Sequence, residues 1–470
     1  MERLPTEILS VIFSLIAHDP TANPMSFAAI THVCSRWRQI ALADGSLWSR
    51  VVLTYPLYPH HLSYAISWLQ RSANAPIDIF LDLRDPSWDW NEDAHNFRWQ
   101  EMEPIMRIFL PHVCRWRRLE LLMDTWAPIF TFLWYTRHVK SAPILETVSI
   151  SRCNLYFAAR GQVFRPISLR QPIQFFGEAA LERLTSVSLA GVHINWNQPS
   201  LRNLTNLELK FHASDVMPSI QQFAAIFEAC PSLIHLALFG WGPIFDIPSP
   251  VRLLSNLEKF SFGFLDTHYA IRLLSLFEFP RLEEFVLEDI GKVVSPLEVE
   301  DSTNLLLWLA SASTGTSPTS MPRGDGSDLS RYGPLTFPLA NIRSFELHGI
   351  QHVTNPDAVR IIFQRLTSLT KLTLYNDVNS ILELLGVPIA GSQPFLLPLL
   401  QELRCQDMDP EILLNVVTSR EGSDALVPLN KVGFEFTSRT SALTAGSLVY
   451  TRLVSAGIEV YGSSGSWITR

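Results

Sequence analysis

A recurring apolar spacing governs this chain of 470 residues: L-x-x-L-x-L, with aliphatic or aromatic substitutes. It stands at Trp116, Leu119 and Leu121, at Leu145, Val148 and Ile150, at Leu184, Val187 and Leu189, and at Leu204, Leu207 and Leu209. It runs on through Leu233, Leu257, Leu282, Ile342, Leu369 and Leu400 to Leu429, Val432 and Phe434. One match means little where 47% of residues are hydrophobic; a dozen, mostly 20 to 31 residues apart, are not a product of composition. Alternation within each unit predicts a short strand, and stretches such as residues 219–229 and 358–366 between units carry helical spacing. Residues 77–83 alternate too and predict another strand. A unit of one strand and one returning helix cannot bury its apolar face alone, so the units must stack.

Ahead of these repeats, residues 4–48 predict a small helical unit. Pro5 suits a first helical turn, and Glu7 complements the helix dipole. Ile8, Leu9, Val11, Ile12, Phe13, Leu15 and Ile16 are too many apolar residues for one helix face. A loop with Pro20 and Pro24 follows, then a second helical pattern from Phe27 through Ile30, Val33, Cys34, Trp37 and Ile40, ended by Asp44-Gly45-Ser46. So small a unit cannot bury Leu4, Ile8, Leu9, Ile12, Phe13, Trp37 and Trp48 all within itself. An exposed apolar cluster of that kind marks a partner surface.

Leu4-Pro5-Thr6-Glu7-Ile8, then Val33-Cys34-Ser35-Arg36-Trp37, then Leu47-Trp48 stand in the order of an F-box. With the repeats behind it, the chain resembles F-box proteins carrying degenerate leucine-rich repeats, a family expanded in mushroom-forming fungi. The resemblance implies an α/β fold: a helical F-box over residues 1–48, then an irregular solenoid over 49–470 with parallel strands on its concave side and helices on its convex side. Residues 311–334, rich in Ser, Thr, Gly and Pro, are expected to form a flexible insertion, and 441–470 a C-terminal cap. The resemblance also implies docking on a Skp-type adaptor, and through it on a cullin–RING ubiquitin ligase, while the repeats recruit an unknown protein substrate. By similarity Leu4, Pro5, Ile8, Leu9, Ile12, Val33, Cys34 and Trp37 would face the adaptor. The other reading is a repeat scaffold that uses the F-box without assembling a ligase. The ninth position of each unit, where standard repeats place Asn or Cys, holds Cys153 once and elsewhere Val192, Trp241, Leu265, Ile290, Ile350 or Met408. No asparagine ladder is expected.

Strand residues between the buried ones should point to the concave face. Early strands offer small neutral residues, and later ones balance acids and bases. Glu208, His235, Lys259, Glu284, Glu346, Lys371, Tyr375 and Arg404 are the candidate target contacts. A net charge of −8 argues against a groove tracking nucleic acid, and no apolar run approaches the ~18 residues of a membrane span. Five cysteines without a C-x-x-C favour a reducing compartment, cytoplasm or nucleus, over a disulfide framework or a zinc site. No phosphate-binding glycine loop, nucleophile elbow or H-E-x-x-H is present, so no catalytic residue, cofactor or metal is expected and the chain reads as a non-enzyme. Trp88, Trp90 and Trp99, beside the acids of the irregular stretch 84–97, are expected to cap the apolar edge of the early repeats; an exposed binding loop is the alternative.

Overall fold

The computed structural model describes residues 4–19, 24–177, 179–197, 200–245, 252–294, 300–313, 337–387, 395–421, 426–436 and 448–462. The expected insertion at 311–334 lies outside them beyond residue 313, as do Pro20 and the expected cap outside 448–462. The chain divides into two compact units, Met1–Cys230 and Pro231–Arg470.

The first unit opens with three helices, α1 (Thr6–Ala17), α2 (Pro24–Ile30) and α3 (Ser35–Ala43). The single helical pattern expected from Phe27 to Ile40 is thus two helices. Cys34 turns extended between them, and its sulfur accepts the Trp37 N–H, capping α3. Six strands follow: β1 (Arg50–Thr54), β2 (Ile77–Asp82), β3 (Trp116–Met123), β4 (Thr147–Arg152), β5 (Ser186–Ala190) and β6 (Asn206–Lys210). They pair in parallel and in chain order. Helices α4 (Pro59–Arg71), α5 (Trp99–Phe109) and α6 (Trp126–Thr136) make the early crossovers, and α7 (Ile220–Ala229) follows β6. Between β4 and β5 the described chain returns instead through short 3₁₀ turns, Leu155–Ala158 and Ile167–Leu169.

The repeat spacing becomes the core through register. Val51, Ile79, Leu119, Val148, Val187 and Leu207 stand opposite one another strand by strand, as do Leu53, Leu81, Leu121, Ile150, Leu189 and Leu209. All of them are buried. Burying such a side chain contributes roughly 1.5–3 kcal/mol, so these two columns fix the register of the whole unit.

The second unit repeats the scheme. Strands β7 (His235–Phe239), β9 (Lys259–Phe264), β11 (Glu284–Asp289), β12 (Ser344–His348), β13 (Lys371–Tyr375), β14 (Glu402–Gln406), β15 (Lys431–Phe436) and β16 (Glu459–Gly462) pair in parallel, while β8 (Arg252–Leu253) and β10 (Phe277–Glu278) form a separate pair. Helices α8 (Thr267–Leu274), α9 (Gly291–Val294), α10 (Thr303–Ala312), α11 (Asp357–Arg365), α12 (Asn379–Glu383), α13 (Pro410–Glu421) and α14 (Leu448–Ser455) are interspersed. Here the column is partly aromatic: Phe260 stacks on Phe285 at 5.9 Å, and Phe285 on Phe345 at 5.7 Å.

Three ninth positions that the sequence reading passed over do carry polar side chains, and they do the work of a ladder. Asp124, His212 and Asp377 are each less than 9% exposed. Asp377 accepts the N–H of Ile350, itself the ninth residue of the preceding unit, at 2.7 Å, and that of Tyr375 at 3.1 Å. His212 Nδ1 lies 2.8 Å from the carbonyl oxygen of Val192, again the preceding ninth residue. Asp124 accepts the N–H of Asp85 at 2.6 Å and lies 2.9 Å from His95 Nε2. Buried backbone groups need such partners whichever residue supplies them.

Candidate interaction surfaces

Helix α1 is apolar around more than half of its circumference, and only part of that arc is turned inward. Leu9, Phe13 and Ala17, four residues apart, are buried. Leu9 is 1% exposed, which corrects its expected place on the docking face: it packs inside the helical unit. Phe13 meets the edge of Trp37 at 5.2 Å, leaving Trp37 half-buried between core and surface. The rest of the arc stays out. Leu4 is 40% exposed, Ile8 48%, Val11 58%, and Leu15 70%; Ile12 and Ile16 are exposed as well. Pro5, Val33 and Cys34 are also exposed. Arg36 of α3 donates to the Leu4 carbonyl at 2.7 Å, tying the start of the arc to the third helix. Val11, Leu15 and Ile16 extend this surface beyond the residues singled out by similarity. Their signal was present in the crowding of α1, but which face turns outward depends on where α2 and α3 pack.

Trp48 anchors the helices to the sheet. It is 1% exposed, donates to the Ala41 carbonyl at 2.7 Å, and meets Phe27 at 5.1 Å and Trp68 of α4 at 4.6 Å. The Arg71 guanidinium covers its ring at 4.5 Å. The helices and first crossover therefore share one core.

On the sheet face the eight candidate contacts lie beside the buried columns and are half-buried or exposed. Most are already engaged. Lys259 lies 3.4 Å from Glu284, Lys371 lies 3.6 Å from Glu346, and Arg404 lies 2.6 Å from Glu402. Glu208 pairs with Lys210 and accepts from Ser188. His348, on the same strand as Glu346, sits between Glu288 at 3.6 Å and Glu346 at 3.4 Å, with Tyr375 at 5.4 Å. Burial opposes its charge, but the two carboxylates outweigh burial and raise it to about 9. The His348 hydrogen bond, set against burial, brings Glu346 down to about 2. The more exposed pairs, Lys259–Glu284 and Arg404–Glu402, stabilise little, and the face is a neutralised mosaic that favours neither strong acids nor strong bases.

Of the three tryptophans expected to cap the core, Trp88 packs against the buried His95 ring at 5.3 Å, while Trp90 and Trp99 do not cap it. Trp88 is half-buried, Trp90 is 65% exposed and Trp99 48%. Among the described residues no group of three His, Cys, Asp or Glu could hold a metal ion, and no helix is long and apolar enough to cross a membrane. No curated protein matches the chain. The F-box-like family model matches residues 1–54, which end with β1, so the helical unit and the first strand form an F-box-like domain.

Proposed function

We propose that the chain is the substrate-recognition subunit of an SCF-type cullin–RING ubiquitin ligase. The F-box-like domain docks on a Skp-type adaptor through Leu4, Pro5, Ile8 and Ile12, joined by Val11, Leu15, Val33, Cys34 and the rim of Trp37. The strand-and-helix units behind it are read as leucine-rich repeats that hold a protein target. Work of this kind belongs in cytoplasm or nucleus and needs no chemistry from the chain: binding raises the effective concentration of target lysines near the conjugating enzyme. The observation that carries this reading is the exposed apolar arc of α1, too large and continuous for a surface meant to face water.

The test is co-expression with the adaptor and cullin of the same organism. The wild-type chain is expected to co-purify with both. The triple variant Leu4→Ser, Ile8→Ser, Ile12→Ser removes exposed anchors and leaves Leu9 and Phe13 in place. It should keep its melting temperature and lose roughly 3–6 kcal/mol of docking energy, enough to abolish co-purification. A soluble wild-type chain that ignores the adaptor defeats the reading, and one that binds adaptor but never cullin makes the protein a scaffold.

A further inference from the structure

The tryptophan-bearing stretch 84–97 is held in place more firmly than an idle loop requires. Its base is tied by Asp124 to the N–H of Asp85 and to His95, and its far end by Glu92 to Arg152, a side chain 1% exposed. Within it, Asp89 accepts the Asn91 N–H at 3.1 Å, and Trp88 donates to the Asn91 carbonyl at 2.9 Å. Between these ties Trp90 adopts a φ of +68°, left-handed backbone uncommon for a bulky residue, and its ring meets Trp88 at 5.4 Å. A large apolar ring is thus fixed and presented to solvent.

Trp90 forms one wall of a cleft of about 500 Å³ whose other sides are Asn154, Tyr156, Phe157, Gln162 and Arg165. Phe157 is buried and rests on the Arg152 guanidinium at 4.1 Å, so this wall is rigid. The charges next to it are spoken for. Glu92 answers Arg152, and Asp215 accepts the Phe164 N–H and pairs with Arg170 at 2.7 Å. Arg165 is exposed and has no acidic partner among the described residues, which leaves one uncompensated cation beside three aromatic rings and two side-chain amides.

We propose that this cleft binds a linear peptide segment carrying an apolar or aromatic side chain next to a side-chain carboxylate. The apolar side chain would lie between Trp90 and Tyr156, and the carboxylate would pair with Arg165. One guanidinium matches one carboxylate; a doubly charged phosphate calls for a cluster of cations. An extended segment fits better than a small metabolite, because Trp90 and Tyr156 are each more than half exposed and a small-molecule pocket buries most of its ligand. The fixed loop lowers the ordering cost of binding. That such a peptide belongs to a ubiquitination target rests on the receptor reading; the binding itself does not.

The full-length chain with its adaptor is titrated with fluorescent, end-blocked pentapeptides having Phe or Leu at the centre. One set flanks the centre with Asp, a second with Asn, a third with phosphoserine. The Asp set should bind, with the Asn set about tenfold or more weaker. Trp90→Ala and Arg165→Gln should each lose about tenfold while melting and adaptor co-purification stay as in the wild type. Arg165→Gln should abolish the preference for Asp over Asn. The proposal is overturned if no set binds, if Asp and Asn peptides bind alike, if the variants bind as the wild type does, or if phosphoserine peptides bind tightest. Co-purification in the same samples reports on the receptor reading separately, since peptide binding without adaptor binding defeats that reading and leaves the cleft standing.

Discussion

Leu9 and Ile12 lie three residues apart on α1, yet truncating them has opposite expected signatures. Leu9 is 1% exposed and packs within the helical unit, so Leu9→Ala should cost about 2–5 kcal/mol of stability through lost burial and the cavity it leaves. Ile12 is exposed, so Ile12→Ala should change stability by no more than about 0.5 kcal/mol while weakening adaptor docking. Thermal unfolding of the two variants, beside adaptor binding measured on each, separates the effects. If Ile12→Ala unfolds as readily as Leu9→Ala, α1 packs differently from the arrangement described. The same pair shows where sequence reading stops. Apolar crowding on α1 was legible, but hydrophobicity does not say whether a side chain is buried by its own chain or awaits another. The break at Thr31–Cys34, which sets the direction of α3, decides that, and a three-to-four spacing running across it concealed it.

At the scale of elements, the strands were legible because alternation and repeat spacing together fix both period and register, as the two buried columns show. The polar ninth positions were less so, because Asp124, His212 and Asp377 do the expected job with residues other than Asn or Cys. Two of the groups near the strand ends also make stability depend on pH. Burial raises the Asp377 carboxyl from 3.8 to about 7. Its unfolded form releases the proton first, so its contribution is complete below about pH 4 and lost as pH rises toward 7. His348, raised from 6.5 to about 9 by its two carboxylates against the pull of burial, contributes fully below about pH 6.5 and loses that contribution as pH rises through 9. The second unit should therefore lose stability in two steps from pH 4 to pH 9, each on the order of 2–4 kcal/mol at most. Urea unfolding across that range should show Asp377→Asn flattening the lower step and His348→Gln the upper one. Unchanged profiles in both variants would remove these groups from the account.

For the whole molecule, the charge of −8 and the composition of the docking arc point to different salt responses for its interactions. From Leu4 to Ile16 the only ionisable side chain is Glu7, and the exposed anchors around it are aliphatic. Burial of aliphatic surface is insensitive to screening, whereas a single exposed guanidinium acts through a field that salt shortens from about 10 Å at 0.1 M to about 3 Å at 1 M. Raising salt across that range should leave adaptor affinity within about twofold, or tighten it slightly. Peptide binding at Arg165 should weaken severalfold over the same interval. Calorimetric titration of both ligands into one preparation makes the comparison internal, because any loss of folded protein lowers both stoichiometries together. An adaptor complex that dissociates at high salt would mean that charges outside the arc carry the docking. The arc would then owe its exposure to some other partner, and the assignment of the F-box-like surface would have to be made again from the charged residues of α3, beginning with Arg36 and Arg38.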